Sequence, residues 1–295
     1  MPLSPSTPAA SDTHDADAAS FITFNARNVS SPIIISAPHG GTDYPKNLLG
    51  GVDLAAMRTL EDSGTTEIAT AIAKSGRPAI IATCPRALID LNRPKDALDP
   101  RLFPDAQAPE NRRWQRHIQA GYGIIPRLSA DRRPLYLEPP APDTLKTRID
   151  IVHTAYHQVL RQWITGLSKH HRNPLLIDIH SMPQARQDQT ALPDFIFGDL
   201  HGITLPQYLK DQVDRFMQQT TFSWGWNHPF AGGYITQHYG TGNRAIATLQ
   251  IEANRGLFLT RSGADAKMLE SVSDCVTALI DSLDDRLKSS TRTLL

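Results

Sequence analysis

LLIDIHS at 175–181 is a short apolar run that closes in polar residues, and it decides the fold class of this chain. Leu175, Leu176 and Ile177 are apolar at successive positions rather than at alternate ones. This pattern is typical of a strand buried on both faces, as in a mainly parallel sheet. Asp178 and His180 lie two residues apart and therefore point to the same face of the predicted strand.

Four other runs of strand length share this composition, and longer segments between or after them carry apolar residues every three or four positions. The runs are Pro32–Ser36, Pro78–Thr83, Asp194–Phe197 and Ala245–Ile251. The predicted helices are Leu54–Lys74, Thr144–His170, Leu205–Gln219 and Asp265–Lys288. Strands that alternate with helices predict an α/β domain with helices on both faces of the sheet.

The 295 residues suit one large domain. We expect a flexible tail over residues 1–18, a single domain over 19–288 and a frayed end over 289–295. Residues 94–142 are rich in proline and lack a regular apolar period. We expect them to form an ordered excursion over the mouth of the active site, because their large apolar side chains need burial. These side chains are Trp114, Tyr122, Ile124, Ile125 and Tyr136.

The composition excludes several classes of protein. Lys and Arg total 30, as do Asp and Glu, so no basic excess favours nucleic acid or an anionic membrane. No apolar run approaches the ~20 residues that cross a bilayer. Cys84 and Cys275 have no partner motif, which argues against a disulfide framework or a cysteine zinc site. The N-terminal stretch lacks the features of a secretory signal, so we expect a cytoplasmic protein.

Polar residues follow the predicted strands, and ligands of open α/β sheets bind beyond the carboxyl ends of strands. His39 follows the first strand, Arg86 and Asp90–Arg93 follow the second, His180 ends the third, and Gly198-Asp199 follows the fourth. Glu252 closes the last strand, and Arg255 comes three residues later. Five separate segments thus deliver polar residues to one predicted edge.

His39 and His180 are candidate metal ligands. The alternatives are a histidine that caps a turn, for His39, and a buried pair with Asp178, for His180. A catalytic zinc ion takes three protein ligands and keeps an open position for water. The third ligand would be a carboxylate, and the sequence leaves open which of several supplies it. The candidates are Asp43, Glu61, Asp62 and Glu67.

Glu252 is a candidate general base that takes a proton from water and returns it to the leaving amine. The alternative is a buried ion pair with Arg255. Arg86, Arg93 and Arg255 are candidates to bind substrate carboxylates, because the guanidinium fork matches a carboxylate. Some of these arginines could instead neutralise nearby carboxylates. Tyr234 follows two glycines and could present its hydroxyl at the site.

The remaining histidines fall into two groups. Five lie in predicted helices or loops without convergent partners and are interpreted as structural or surface residues: His117, His153, His157, His170 and His171. Three lie beside the proposed site segments and could assist there: His201, His228 and His238.

Six segments, taken together and in order, resemble the N-formylglutamate amidohydrolase family. They are PHGGTDYP (38–45), RALIDLNRP (86–94), DIHS (178–181), DFIFGDLHG (194–202), HPFAGGYITQHYG (228–240) and LQIEANRGLF (249–258). That family is similar in fold to zinc carboxypeptidases and aspartoacylases. The resemblance therefore implies a single three-layer α/β/α domain with a mixed, mainly parallel, zinc-exopeptidase-like sheet.

The resemblance also implies roles for individual residues. His39, Asp62 and His180 would hold one divalent ion, expected to be Zn²⁺, and Glu252 would be the catalytic acid/base. Zinc carboxypeptidases have a Glu three residues after the first His, where this chain has Thr42, so the carboxylate ligand must come from elsewhere.

Three further residues take their roles from the same resemblance. Asn92 and Arg93 would hold a substrate carboxylate. Arg86 would polarise the scissile carbonyl or hold a second carboxylate.

The expected activity is hydrolysis of N-formyl-L-glutamate to formate and L-glutamate, with a small acidic molecule as the substrate and neither nucleic acid nor membrane as a partner. One alternative is a related zinc amidohydrolase or carboxypeptidase with another acyl substrate. Another is a catalytically silent relative that binds an acidic metabolite. The chain has Asp62-Ser63-Gly64 where family members often have Asp-Trp-His, a departure that bears on the substrate.

Overall fold

The computed structural model describes residues 20–44, 52–107, 109–136, 138–186, 188–242, 246–260 and 263–292. The predicted tail over residues 1–18 and the last three residues of the predicted frayed end lie outside the described residues. Within them, no helix is long and apolar enough to cross a membrane.

Seven strands form one mixed sheet. They are β1 (Phe21–Phe24), β2 (Ile33–Ala37), β3 (Ala79–Ala82), β4 (Leu175–Met182), β5 (Phe195–Gly198), β6 (Trp224–Trp226) and β7 (Ala247–Asn254). Their order across the sheet is β1-β3-β2-β4-β7-β5-β6. The central strands β3, β2, β4 and β7 are parallel, whereas β1 and β5 each run antiparallel to their inner neighbour. The prediction of a mixed, mainly parallel sheet is confirmed.

Helices cover both faces of this sheet. They are α1 (Leu54–Arg58), α2 (Thr65–Lys74), α3 (Arg112–Gln119), α4 (Pro142–Thr147), α5 (Thr154–Leu167), α6 (Gln207–Met217), α7 (Tyr234–Gly240) and α8 (Ala266–Arg292). A short hairpin of β8 (Leu259–Thr260) and β9 (Gly263–Ala264) precedes α8. The last helix thus continues to Arg292, four residues beyond its predicted end.

Alternate residues of the buried strands face two different cores. Ile33 and Ile35 contribute to the core beneath α2, α6 and α8, whereas Ile34 contributes to the core beneath α5 and α7. Each central strand is therefore apolar at successive positions because both of its faces are covered. The result is the expected three-layer α/β/α domain.

The predicted helix Leu54–Lys74 is wrong as a single element, because residues 59–64 separate α1 from α2. Gly64 has φ 85°, a left-handed conformation that interrupts the helix and that glycine adopts without strain. The backbone N–H of Asp62 donates to the carbonyl of His39 instead of continuing a helix. The break turns Asp62 inward, where it is buried.

The predicted helix Thr144–His170 is also divided. A π-helical turn at Arg148–His153 joins α4 to α5, and α5 ends at Leu167. Apolar residues that recur every three or four positions do not distinguish an α-helical turn from a π-helical one. The wide turn leaves the side chains of Arg148 and His153 buried.

The excursion over residues 94–142 is ordered, as predicted, over its described residues. Trp114, Ile124 and Ile125 are buried, and Tyr122 and Tyr136 are half-buried. Within this segment, α3 contributes Arg113 and His117 to the wall of the cavity described below.

Candidate metal centre and active site

A cavity of about 620 Å³ lies at the carboxyl ends of β2, β4 and β7, and three predicted metal ligands line it. The Oδ2 atom of Asp62 is 3.3 Å from Nδ1 of His39 and 2.9 Å from Nδ1 of His180. Ligand atoms of these three buried residues all lie within 4.8 Å of one another, so the group could hold a metal ion. His39 follows β2, Asp62 lies in the break between α1 and α2, and His180 lies near the end of β4. The cluster thus joins three separate parts of the chain.

The other candidate carboxylates lie elsewhere. Asp43 and Glu67 are exposed, and Glu61 accepts a hydrogen bond from the hydroxyl of Tyr44 at 2.8 Å. Of the four carboxylates that the sequence left open, Asp62 is the one in the cluster.

The glycines after His39 are explained by the approach of backbone to backbone. A Cβ atom on Gly41 would lie 2.3 Å from the carbonyl oxygen of Cys84, and one on Gly40 would lie 2.4 Å from Oγ1 of Thr66. Side chains at these positions would push β2 away from the start of α2 and from the end of β3. The glycines thus bring His39 close to the segment that carries Asp62.

A buried carboxylate lies behind each histidine ring. Nε2 of His180 is 2.9 Å from Oδ2 of Asp178, and Nε2 of His39 is 2.7 Å from Oδ1 of Asp90. If each Nε2–H donates to its carboxylate, each Nδ1 presents a lone pair to the space beside Asp62. Two imidazole nitrogens and one carboxylate oxygen, oriented in this way, fit a divalent ion such as Zn²⁺.

The charges of the cluster also favour a cation. Burial raises the pKa of Asp62, but its contacts with the His180 and His39 rings, whose Nδ1 protons a bound ion would replace, outweigh it and hold the pKa below its usual range. Burial likewise opposes ionisation of Asp90, but the charges of Arg86 and Arg93 hold its pKa well below the usual value. Both carboxylates therefore remain ionised at neutral pH.

Glu252 lies beside the cluster on β7, where it is paired in register with His180 of β4. Its Oε1 atom accepts a hydrogen bond from Nε2 of Gln250 at 2.8 Å, and its side chain is buried. Burial, helped by the nearby charge of Asp62, raises the pKa of Glu252 to about 7 against the opposing charges of His180 and Arg255. A buried carboxyl that titrates near neutral pH can both accept and donate a proton.

A model of the N-formylglutamate amidohydrolase family matches residues 31–259. The chain belongs to this family. It is 26% identical to an N-formylglutamate deformylase of Pseudomonas putida, over 77% of this chain and 82% of that protein. It is also 26% identical to an N-formylglutamate deformylase of Pseudomonas aeruginosa, over 85% of this chain and 92% of that protein.

Two solved structures share the fold. The N-formylglutamate amidohydrolase from Ralstonia eutropha JMP134 has a TM-score of 0.81 at 24% identity, covering 92% of this chain and 100% of that chain. A gene product from Agrobacterium tumefaciens has a TM-score of 0.71 at 13% identity, covering 92% and 98%. The same fold thus extends over nearly the whole length of both solved chains.

All three predicted arginines line the cavity of this family member. Nε of Arg86 is 2.9 Å from Oδ2 of Asp90, and Nη2 of Arg255 is 3.9 Å from Oδ1 of Asp62. Arg255 also donates to the carbonyls of Glu61 and Ser181, and no ion pair with Glu252 occurs among the described residues. The interpretation of Glu252 as the partner of Arg255 is therefore not supported.

Arg93 is buried where the excursion meets the cavity. It donates to the carbonyls of Asn92 and Tyr122 and lies 3.7 Å from Oδ2 of Asp90. Burial lowers the pKa of Arg93 to about 10, which leaves it charged at neutral pH.

Asn92 lines the cavity, but its amide group is largely engaged by the protein. Its Oδ1 accepts from the backbone N–H of Ile235 at 2.7 Å, and its Nδ2 donates to Oδ2 of Asp178 at 2.9 Å. Asn92 therefore links the segment that follows β3 to α7 and to Asp178, the carboxylate behind His180.

Tyr234 is not among the residues that line the cavity. It is the first residue of α7, and its ring centre lies 4.9 Å from that of His238 and 6.1 Å from that of Trp114. The helix start turns the ring into this aromatic group, so the structure does not bring the predicted hydroxyl to the site.

Two titratable residues of the cavity were not predicted from the sequence, and the interpretation of one of them, His117, as a structural or surface residue is wrong. Arg113 and His117 lie on α3 and follow no strand, so the rule of strand ends could not identify them. Among the three histidines predicted to assist, His201 lines the cavity, His238 stacks on Tyr234, and His228 lies 3.0 Å from Arg186.

Proposed function

We propose that this chain is a metal-dependent amidohydrolase that cleaves N-formyl-L-glutamate to formate and L-glutamate. The observation that carries the proposal is the juxtaposition of the cluster His39–Asp62–His180 with Glu252 on one cavity wall. Membership of the family and the names of two Pseudomonas relatives support the choice of substrate.

His39, Asp62 and His180 are the residues that would hold the ion, with Zn²⁺ as the expected metal. A divalent ion at this position supplies Lewis-acid chemistry, because it lowers the pKa of water and polarises a carbonyl. Asp90 and Asp178 fix the orientation of the two histidine rings. The protein thereby holds both Nδ1 atoms toward Asp62 before substrate arrives.

Glu252 acts first as the general base and then as the general acid. Its carboxylate accepts a proton from the attacking water as the water oxygen bonds to the formyl carbon. When the carbon–nitrogen bond breaks, Glu252 returns that proton to the departing nitrogen, which leaves as the amine of glutamate. A pKa near 7 suits a group that must first accept and then donate at neutral pH.

Arginines stabilise the negative charges of the reaction. Arg86, which is fixed by Asp90, would donate to the oxyanion that develops on the formyl oxygen. Arg93 would bind the α-carboxylate, with Asn92 holding the segment beside His180. Arg255 adds positive charge on the side of Asp62.

The test is release of formate from N-formyl-L-glutamate by the wild-type protein, Glu252→Gln and Glu67→Gln. Loss of the general base should lower kcat/KM by about 10²–10⁴-fold while metal stays bound. Glu67→Gln is the matched control, because Glu67 is exposed on α2. Near-wild-type activity in Glu252→Gln with metal bound would contradict the mechanism.

A substrate series separates the proposed reaction from its alternatives. N-formyl-, N-acetyl- and N-succinyl-L-glutamate are compared under the same conditions. Preference for the formyl compound supports the proposal, whereas preference for a longer acyl group indicates a related amidohydrolase. Tight binding of glutamate with turnover of none of the three would indicate a silent binding protein.

A further inference from the structure

Arg113 differs from the other arginines of the cavity in its partners. Arg86 and Arg255 approach Asp62, and Arg93 approaches Asp90. Arg113 has no carboxylate within 4 Å among the described residues, and its guanidinium donates to a neutral acceptor, the carbonyl of Gly232. Its charge is therefore not neutralised by a neighbouring carboxylate of the described protein.

The guanidinium of Arg113 is also held in place and partly removed from water. It lies 4.9 Å from the centre of the Trp114 ring, and the guanidinium of Arg93 lies 5.7 Å from the same ring. Trp114 is buried, so it acts as a fixed platform for both cations. Burial lowers the pKa of Arg113, which reflects the cost of a charge that lacks a counter-ion.

His117 belongs to the same group. Its ring centre is 5.4 Å from that of Trp114, and its side chain lines the cavity with Arg93 and Arg113. This wall of the cavity thus presents two guanidiniums and an imidazole around one aromatic ring. Among the described residues, Arg93 alone of these three lies within 4 Å of a carboxylate, that of Asp90, which is shared with Arg86 and His39.

The charge of the whole cavity indicates what this wall binds. Four arginines line the cavity, against two carboxylates, Asp62 and Glu252. Asp90 and Asp178 lie behind the two histidines and balance the remaining excess. A divalent cation in the cluster would leave a surplus of two positive charges, which a substrate with two carboxylates would neutralise.

We propose that Arg113, with His117 beside it, binds the side-chain carboxylate of the substrate and so selects N-acyl amino acids with an acidic side chain. This inference rests on the function proposed above and adds the residue that determines specificity. The guanidinium donates to Gly232 and retains further N–H donors for a bidentate contact with a carboxylate. The competing role for Arg113 is a purely structural link between α3 and the loop at Gly232.

The experiment compares N-formyl-L-glutamate with N-formyl-L-glutamine, which has the same shape and lacks the second charge. The variant is Arg113→Gln, which removes the charge and leaves an uncharged amide donor on a shorter side chain. In this variant kcat/KM for the glutamate compound should fall by about 10–100-fold, whereas the value for the glutamine compound should stay nearly constant. Arg116→Gln on the exposed side of α3 is the matched control and should leave both values unchanged.

An equal fall for both substrates, or no fall for either, would overturn the inference and leave Arg113 as a structural link. If Arg113→Gln does not fold, Arg113→Lys takes its place. That variant keeps the charge without the planar fork, and it should lose part of the preference for the glutamate compound. If Arg113→Lys changes kcat/KM for both compounds by the same factor, the preference is unchanged and the inference is overturned.

A binding measurement separates this inference from the proposed function. If the wild-type protein hydrolyses neither formyl compound, the proposed function fails. Calorimetric titration with glutarate and with its monoamide then still tests Arg113. The inference is supported if Arg113→Gln binds glutarate more weakly than the wild-type protein does and binds the monoamide equally well. Equal binding of glutarate by both proteins overturns it.

Discussion

His180 and Glu252 are paired in register on the adjacent parallel strands β4 and β7. Asp178 and Gln250 form the pair two residues earlier, so all four side chains share one face of the sheet. Asp178 is hydrogen-bonded to His180, and Gln250 to Glu252. The sheet itself, rather than a loop, therefore fixes the separation between a candidate metal ligand and the candidate acid/base.

The pH dependence of activity should report the ionisation of Glu252. Burial raises the pKa of Glu252 to about 7, so the base form is lost as the pH falls below that value. A bound cation favours the carboxylate and would move the midpoint lower. We expect kcat/KM to fall on the acid side of neutrality, and Glu252→Gln to lack this limb. A profile that is flat from pH 8 to pH 5 would contradict the role.

The same pKa shift has the opposite effect on stability. The pKa of Glu252 rises on folding from 4.5 to about 7, so folding favours the protonated form and stability is lost as the pH rises through this range. In chelator at pH 8, Glu252→Gln should have a free energy of unfolding about 1–3 kcal/mol above wild type. The gain should shrink at pH 5.

Urea unfolding at the two pH values measures this difference. Glu67→Gln should show no pH-dependent gain, because Glu67 is exposed. A Glu252→Gln protein that is less stable than wild type at both pH values would show that the carboxylate is stabilised by its surroundings.

Asp90 should control metal affinity through His39. Its Oδ1 lies 2.7 Å from Nε2 of His39, and it also binds Arg86. Asp90→Asn removes the charge that orients the ring and should weaken Zn²⁺ binding about 10–100-fold. Competition with a chromophoric chelator measures the affinity.

Asp99→Asn is the matched control for Asp90. Asp99 is also buried and paired with two arginines, Arg101 and Arg127, but its side-chain partners do not include a histidine of the cluster. This variant should lose stability and keep its affinity for Zn²⁺. Equal affinities in wild type and Asp90→Asn would contradict the role of Asp90.

Gly233 should be required for the position of Asn92. A Cβ atom at residue 233 would lie 2.3 Å from Nδ2 of Asn92, whose amide is held by Ile235 and Asp178. Gly233→Ala must displace Asn92, so it should lower activity and cost about 1–3 kcal/mol of stability.

Gly166→Ala is the control for this substitution. No atom lies within 4 Å of a Cβ at residue 166 in α5, so the change should be neutral or stabilise the helix by about 0.5–1 kcal/mol. Thermal unfolding and formate release measure both variants. Full activity in Gly233→Ala would show that Asn92 does not need its present position.

The central strands and their polar ends could be predicted because each link is local in sequence. LLIDIHS carries the apolar pattern, Asp178 and the candidate ligand His180 within seven residues. Successive apolar residues imply two covered faces, and parallel strands bring their carboxyl ends together. The edge strands β1 and β6 were missed because they have four and three residues and partly exposed side chains.

The parts that could not be predicted depend on contacts distant in sequence. Asp62 lies where an apparently continuous helix breaks, and the hydrogen bond from its N–H to His39 forms only in the fold. Asp90 lies 51 residues from His39, and no periodicity links the two. Arg113 and His117 reach the cavity because a proline-rich excursion folds over it, which the sequence suggests without identifying the residues.

The most direct test of the account is formate release from N-formyl-L-glutamate by wild-type protein before chelation, after chelation and during titration with Zn²⁺, with His180→Ala alongside. Chelation should abolish turnover by the wild-type protein, and about one equivalent of Zn²⁺ should restore it. The same concentration of Zn²⁺ should not restore turnover by His180→Ala. Undiminished turnover by protein shown by elemental analysis to be free of metal would contradict the account.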